Sequence, residues 1–288
     1  MGENAEATLT FFSKDPVVCP VCEAEFYREE MRTGRGRLIA GELTDELRRL
    51  YEPSLKYGEV FPLIYTISVC PVCYYAAGNP DFSFPSGETA EALLKDKNER
   101  HQMVEPLFPG IDFRERRNLT GGVASYILAV SSLDHFPEEK SPTIKQGLAS
   151  LRGAWLLSDL HRRHPDENYD YLQAILYNKA RFFYTMAVEY ESSGKESIND
   201  AGHLGPDIDK NYGYDGVLYM AALLEYYHGA DDEMARRITN LERAKRTVAR
   251  IFGMGRASKN KPAAILEKSK ELHSAIGREV KLLEEQLS

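Results

Sequence analysis

The chain has 288 residues, long enough for one large or two modest domains with an ample core. Its 43% hydrophobic and 28% charged residues are those of a globular protein, so disorder is not the default. A formal charge of −8 argues against nucleic-acid binding over the whole surface, although local basic patches stay open. The opening MGENAEATLT is polar and acidic, without the basic and apolar regions of a secretory signal. No apolar run approaches the ~20 residues of a membrane-spanning helix. A cytoplasmic location with no membrane partner is expected.

Residues 1–10 read as a frayed tail, and 11–80 as a small strand-and-loop module. Within the module, residues 44–51 (TDELRRLY) predict a short helix, capped by Thr44 and stopped before Pro53. Ile64, Thr66 and Ser68 alternate with Tyr65, Ile67 and Val69, which predicts a short strand. Residues 81–113, rich in Gly, Pro, Asp and Phe, read as a connector with one short helix near 88–99.

From 114 to 260 the apolar period becomes helical. Leu119, Val123, Tyr126, Ile127, Val130 and Leu133 share one face. A second helix opens at Ser141-Pro142, carries Ile144, Leu148, Leu151, Trp155 and Leu156 inward, and ends near His161. A third covers 166–193, with Leu172, Ile175, Leu176, Phe183, Met186 and Tyr190 inward and Gly194 as its stop. Two more are predicted over 211–228 and 231–252, followed by Gly229 and Gly253 and a linker, GMGRASKNK. The segment 261–288 carries Ile265, Ser269, Leu272, Ile276, Val280, Leu283 and Leu287, a narrow seam that either packs back as a cap or pairs with another chain. Helices that are apolar on one stripe bury it by stacking, and antiparallel hairpins side by side do so economically.

The four cysteines fall in two identical CPVC knuckles, Cys19 and Cys22, then Cys70 and Cys73. Two knuckles supply four thiolates to one tetrahedral ion and leave no position for water or substrate. The expectation is structural Zn2+. Residues 23–69 separate the knuckles, more than the ~15–20 of a compact ribbon, and YREEMRTGRGRLIAGE can supply ribbon strands. Two independent redox pairs and a rubredoxin-like iron site are the alternatives.

The segments VVCPVCEAEF, YTISVCPVCYYAA, RGAWLLSDL and YNKARFFYTMAVEY, spread over residues 17–190, resemble an uncharacterised bacterial family, domain of unknown function 2225. The resemblance implies a zinc-ribbon-like start followed by tetratricopeptide-like (TPR-like) helices, and implies no activity. Tyr219, Ala222, Leu223, Tyr226 and Ala235 fit a TPR pattern, while Thr239 and Glu242 depart from it. The expected fold is mainly α: a small zinc-ribbon-like N-terminal module followed by a TPR-like array of antiparallel helices.

Other signals have plainer readings. Phe182, Phe183, Tyr184, Tyr190, Tyr219, Tyr226 and Tyr227 either line a peptide groove or, as favoured here, form helix–helix core. His161 and His164 suit a helix C-terminus electrostatically. Asp207, Asp209 and Asn211 imitate a calcium loop, but Leu218 stands where its closing glutamate belongs, so helix capping is expected. Arginines cluster at 28, 32, 35 and 37, and again from Arg236 to Lys261. No HExxH, GxxxxGK[ST] or GxSxG motif occurs, and no strand-bound GxGxxG is found. The expected function is therefore a non-enzymatic interaction scaffold with a protein or peptide partner. A nucleic-acid role is the alternative, and an enzyme with an unrecognised site the third reading. Oligomeric state is left open.

Overall fold

The computed structural model describes residues 9–32, 34, 36–230, 232–252 and 261–287. The tail up to residue 8, Arg35, Asp231 and the linker residues 253–260, with Arg256 and Lys259, lie outside the described residues. Thr10, read as tail, instead opens a strand and is buried.

Four antiparallel strand pairs build the N-terminal part. β1 (Thr10–Phe12) pairs with β4 (Glu29–Met31), and β2 (Val17–Val18) with β3 (Glu25–Phe26). β5 (Ile39–Leu43) pairs with β6 (Arg49–Glu52), and β7 (Ile67–Val69) with β8 (Ala76–Gly78). The predicted strand over 64–69 is thus shorter, because Pro62–Tyr65 form a 3-10 turn begun by a proline at its first position. The connector carries two helices instead of one, α1 (Gly87–Lys95) and α2 (Lys97–Val104), broken at Asp96.

The helix predicted over 44–51 is absent. Its residues form the tip and second strand of the β5–β6 hairpin. Asp45, Glu46 and Leu47 make a three-residue loop, closed by Thr44 N–H to Arg48 O at 2.9 Å. Leu47 takes φ 59°, the left-handed position that such loops usually give to glycine. Tertiary packing overrides helix propensity here: the Leu47 side chain is fully buried among the helices.

The array comprises α3 (Leu119–Leu133), α4 (Pro142–Arg163), α5 (Tyr169–Ser193), α6 (Gly213–His228), α7 (Met234–Phe252) and α8 (Ala263–Leu287). Each packs antiparallel on the next, as residue pairings running in opposite directions show. Between α3 and α4, Gly122 faces Leu156 while Val130 O accepts from Gln146. Between α4 and α5, Gly147 faces Tyr184 and Gly153 faces Leu176. Tyr177 stacks on His228 and Arg181 pairs with Glu225 between α5 and α6. Arg237 reaches the last carbonyls of α6 and pairs with Glu279 of α8, while Phe252 meets His273.

The α8 seam turns inward onto this chain. Ile265, Ser269, Leu272, Ile276 and Val280 are buried, Leu283 is partly covered and Leu287 is exposed. On α5 the buried face is rotated from the expected one. Leu176, Tyr177, Ala180, Tyr184, Ala187 and Val188 are buried, and Ile175 is exposed. Of the TPR positions, Tyr219, Ala222 and Leu223 are buried, whereas Ala235 is exposed and permits no close approach.

The hairpin tip is gripped by four helices. Asp45 O accepts from Tyr219 Oη at 2.8 Å and its carboxylate pairs with Lys268 Nζ at 2.7 Å. Glu46 Oε2 accepts from Trp155 Nε1 and from Tyr177 Oη. Arg48 pairs with Asp159 at 2.5 Å. Burial pushes the Glu46 carboxyl above its ordinary value of 4.5, against the opposing hydrogen bonds from Trp155 and Tyr177. A carboxylate raised in the fold stabilises the native state most when protonated, so that contribution is complete below about 4.5 and lost as pH rises through the raised value. Wild type should therefore gain stability relative to Glu46→Gln as pH falls from 7 towards 4.5. Urea midpoints of the two proteins that run parallel across this window would contradict the assignment.

Candidate metal centre

Each CPVC knuckle sits at the end of a two-stranded ribbon, the first on β2–β3 and the second on β7–β8. The two repeat each other position by position. Cys19 N–H donates to Ala24 O and Glu23 N–H to Cys19 O, both at 2.9 Å. Cys70 N–H donates to Tyr75 O at 2.9 Å and Tyr74 N–H to Cys70 O at 3.0 Å. The residue after each second cysteine is left-handed, Glu23 at φ 61° and Tyr74 at φ 55°. Pro20 and Pro71 pre-set the turn. The amides of Val21 and Cys22 point at Cys19 Sγ, and those of Val72 and Cys73 at Cys70 Sγ.

The ribbons bring together cysteines that lie far apart in the chain. Cys19 Sγ and Cys73 Sγ are 3.7 Å apart, Cys22 Sγ and Cys70 Sγ 3.6 Å, and all four sulfurs lie within 4.8 Å of one another. A tetrahedron of about 2.3 Å metal–sulfur bonds has edges of about 3.8 Å. The donor set fits one ion and closes its shell. All four cysteines are free, and the cross-knuckle distances are far beyond a sulfur–sulfur bond of about 2.05 Å. Cys19, Cys70 and Cys73 are fully buried beside Phe26, Tyr75, Phe82 and Leu133.

The electrostatics suit a cation. Hydrogen bonding with Cys19 and Cys70 drives the Cys73 thiol far up, and that with Cys70 raises Cys19 to about 12. Hydrogen bonds from Cys19 and Cys73 lower Cys70 to about 2. Neighbouring sulfurs share protons because their negative charges repel. A divalent cation supplies the compensating charge that those protons otherwise provide.

Two residues of α2 hold the second knuckle. Arg100 Nε and Nη2 donate to Cys73 O at 3.1 and 3.0 Å. His101 Nε2 lies 3.2 Å from Val72 O, and its ring stacks on Tyr74 with centroids 3.7 Å apart. Sequence reasoning missed both, since KNERHQMV reads as a solvated helix.

The other sequence signals separate. Among the described residues, only the four cysteines gather as a group able to hold a metal. His161 and His164 lie in and just after the last turn of α4. Asp207 is buried and accepts from the backbone of Arg49 and Ile208, while Asn211 Oδ1 receives Gly213 N–H just before α6. Arg28 pairs with Glu30, and Arg32 lies over the Phe11 ring. Tyr184 and Tyr219 are core, as favoured, whereas Phe182 and Tyr227 are exposed. A cavity of about 330 Å³ between β7–β8, α3 and α4 is lined by Tyr126, Lys145, Arg152 and His203. Its Lys145 pairs with Asp81 and Asp200, and its Arg152 donates to the carbonyls of Gly205 and Pro206.

A mainly helical protein with a two-knuckle, four-cysteine front is the class that this architecture defines. Residues 12–276 match the family described as "Uncharacterized protein conserved in bacteria (DUF2225)", and the chain belongs to that family. It is 41% identical over 277 residues to an uncharacterised protein of Borreliella burgdorferi, covering 96% of this chain and 99% of the relative. A shorter similarity, 36% identity over 86 residues, is to Elongation factor Ts of Pseudomonas savastanoi pv. phaseolicola, covering 30% of each chain. No solved structure matches. No helix among the described residues is long and apolar enough to cross a membrane.

Proposed function

We propose that the protein is a non-enzymatic, cytoplasmic interaction scaffold. Its knuckles hold one structural Zn2+, and its TPR-like array docks a protein or peptide partner. The observation that carries this reading is a set of exposed apolar side chains on the outer face of α5. Tyr171, Ile175 and Phe182 are 68%, 37% and 57% exposed, at positions four and then seven residues apart. Such spacing puts them on one side of the helix. Exposed Asn178 lies between the last two, so the face is mixed, and aromatic side chains carry much of the energy at interaction surfaces of this kind. Four free sulfurs gathered at tetrahedral spacing support one structural ion over two separate redox pairs; zinc and a rubredoxin-like iron share this closed shell, and metal analysis separates them.

Replacing Tyr171 and Phe182 together by serine should leave the melting temperature unchanged within a few degrees. It should abolish retention of a partner that wild type captures from native lysate, scored by mass spectrometry. Equal retention by both proteins would refute the α5 surface. Metal analysis should return one zinc per chain.

A second reading, nucleic-acid contact, is supported by Arg236, Arg243, Arg246 and Arg250, exposed along α7. It predicts binding that weakens steeply with salt and falls when these arginines are replaced, with Tyr171 and Phe182 immaterial.

A further inference from the structure

Arg100 is only 1% exposed, yet among the described residues it forms no ion pair. Its guanidinium meets carbonyls alone: Cys73 O through Nε and Nη2, and Leu93 O through Nη2 at 2.6 Å. Nη1 is buried with no partner at all. The acids on adjoining elements are engaged elsewhere or, like Glu88, Glu91 and Glu99, exposed to solvent. Asp81 pairs with Lys145 at 2.9 Å, Asp96 with His135 at 2.8 Å and Glu105 with His101 at 2.9 Å.

Burying a lone guanidinium is strongly unfavourable, so compensating negative charge has to lie close by. The bond to Cys73 O puts the guanidinium within roughly 7 Å of the Cys73 sulfur by covalent geometry. Four thiolates around a divalent ion carry a net charge of −2, which thiols sharing protons do not. The loaded centre is therefore the anion that this cation lacks.

We propose that Arg100 is the counter-charge of the metal-loaded centre. Through Leu93 O, near the C-terminus of α1, it also makes the seating of α1 and α2 depend on loading. The inference rests on the four-cysteine zinc reading and deepens it, because it assigns a positioning residue outside the shell.

The test is zinc affinity of the full chain, measured by competition against a chromophoric chelator. Arg100→Met should weaken binding about 10- to 100-fold, as loss of an outer-shell partner does. Arg100→Lys, which keeps the charge, should recover more than half of that loss on a logarithmic scale. Equal affinity for wild type and Arg100→Met overturns the proposal, and so does Arg100→Lys binding as weakly as Arg100→Met. Should Arg100→Met fail to fold, amide exchange on wild type decides. Chelation should speed exchange in α1 and α2 at least tenfold and leave α4 and α5 protected, and unchanged α1 and α2 overturn the proposal. A wild type that takes up no stoichiometric zinc overturns the four-cysteine reading itself. That failure is distinguishable, since no wild-type affinity then exists to compare.

Discussion

Stripping the ion with a strong chelator, or replacing Cys70 by serine, should unfold the two knuckles and the ribbons beneath them. Structural zinc contributes about 10–16 kcal/mol to the folding of small modules, where little else holds the chain. The strands here are only two to five residues long and occur in pairs, too little sheet to stand alone. Part of the loss is offset, because the buried Glu29 carboxylate ties β4 to Thr10, Arg116 and the Arg117 amide. The array supplies most of the buried apolar side chains of the core it shares with β7–β8 and the hairpin tip, so the melt should split into an early transition and a later helical one. A Cys70→Ser protein that melts as one transition at the wild-type temperature would exclude a structural ion.

Leu47→Ala should cost about 2–5 kcal/mol, the usual range for emptying a fully buried leucine site. The glycine variant distinguishes a hairpin from a helix. A left-handed alanine is strained by roughly 1–2 kcal/mol and glycine is not, so Leu47→Gly should be no less stable than Leu47→Ala despite losing one more carbon. In a helix interior glycine would be worse than alanine by about 1 kcal/mol. Urea unfolding that ranks alanine clearly above glycine would restore the helical reading of residues 44–51.

That segment shows where sequence reasoning stops. TDELRRLY has a helical composition and a proper cap, and nothing local says that Leu47 must reach a core made by residues more than a hundred positions later. The array was legible for the opposite reason. The α8 seam is a property of one helix, and Ile265 to Val280 are buried in the expected rhythm. On α5 the helix was readable but its inner face was not. Ala180 and Ala187 turn inward, where glycines on α4 let the helices approach: a Cβ on Gly153 would come within 2.7 Å of Leu176. The large aromatic Phe182 is left outside. The cysteines were legible because their chemistry is written in spacing. Arg100, whose role depends on what lies beyond its own helix, was not.

The grip on the hairpin tip bears on how the protein is made. Asp45 and its partner Lys268 are 223 positions apart. At about 5–20 residues per second, roughly 10–45 s of translation separates their emergence from the ribosome. Throughout that interval Leu47 and Glu46 wait for a socket whose final wall is unwritten. The socket is therefore built in stages, from Trp155 and Tyr177 through Tyr219 to Lys268, and early termination before residue 268 would leave the tip without its last clasp.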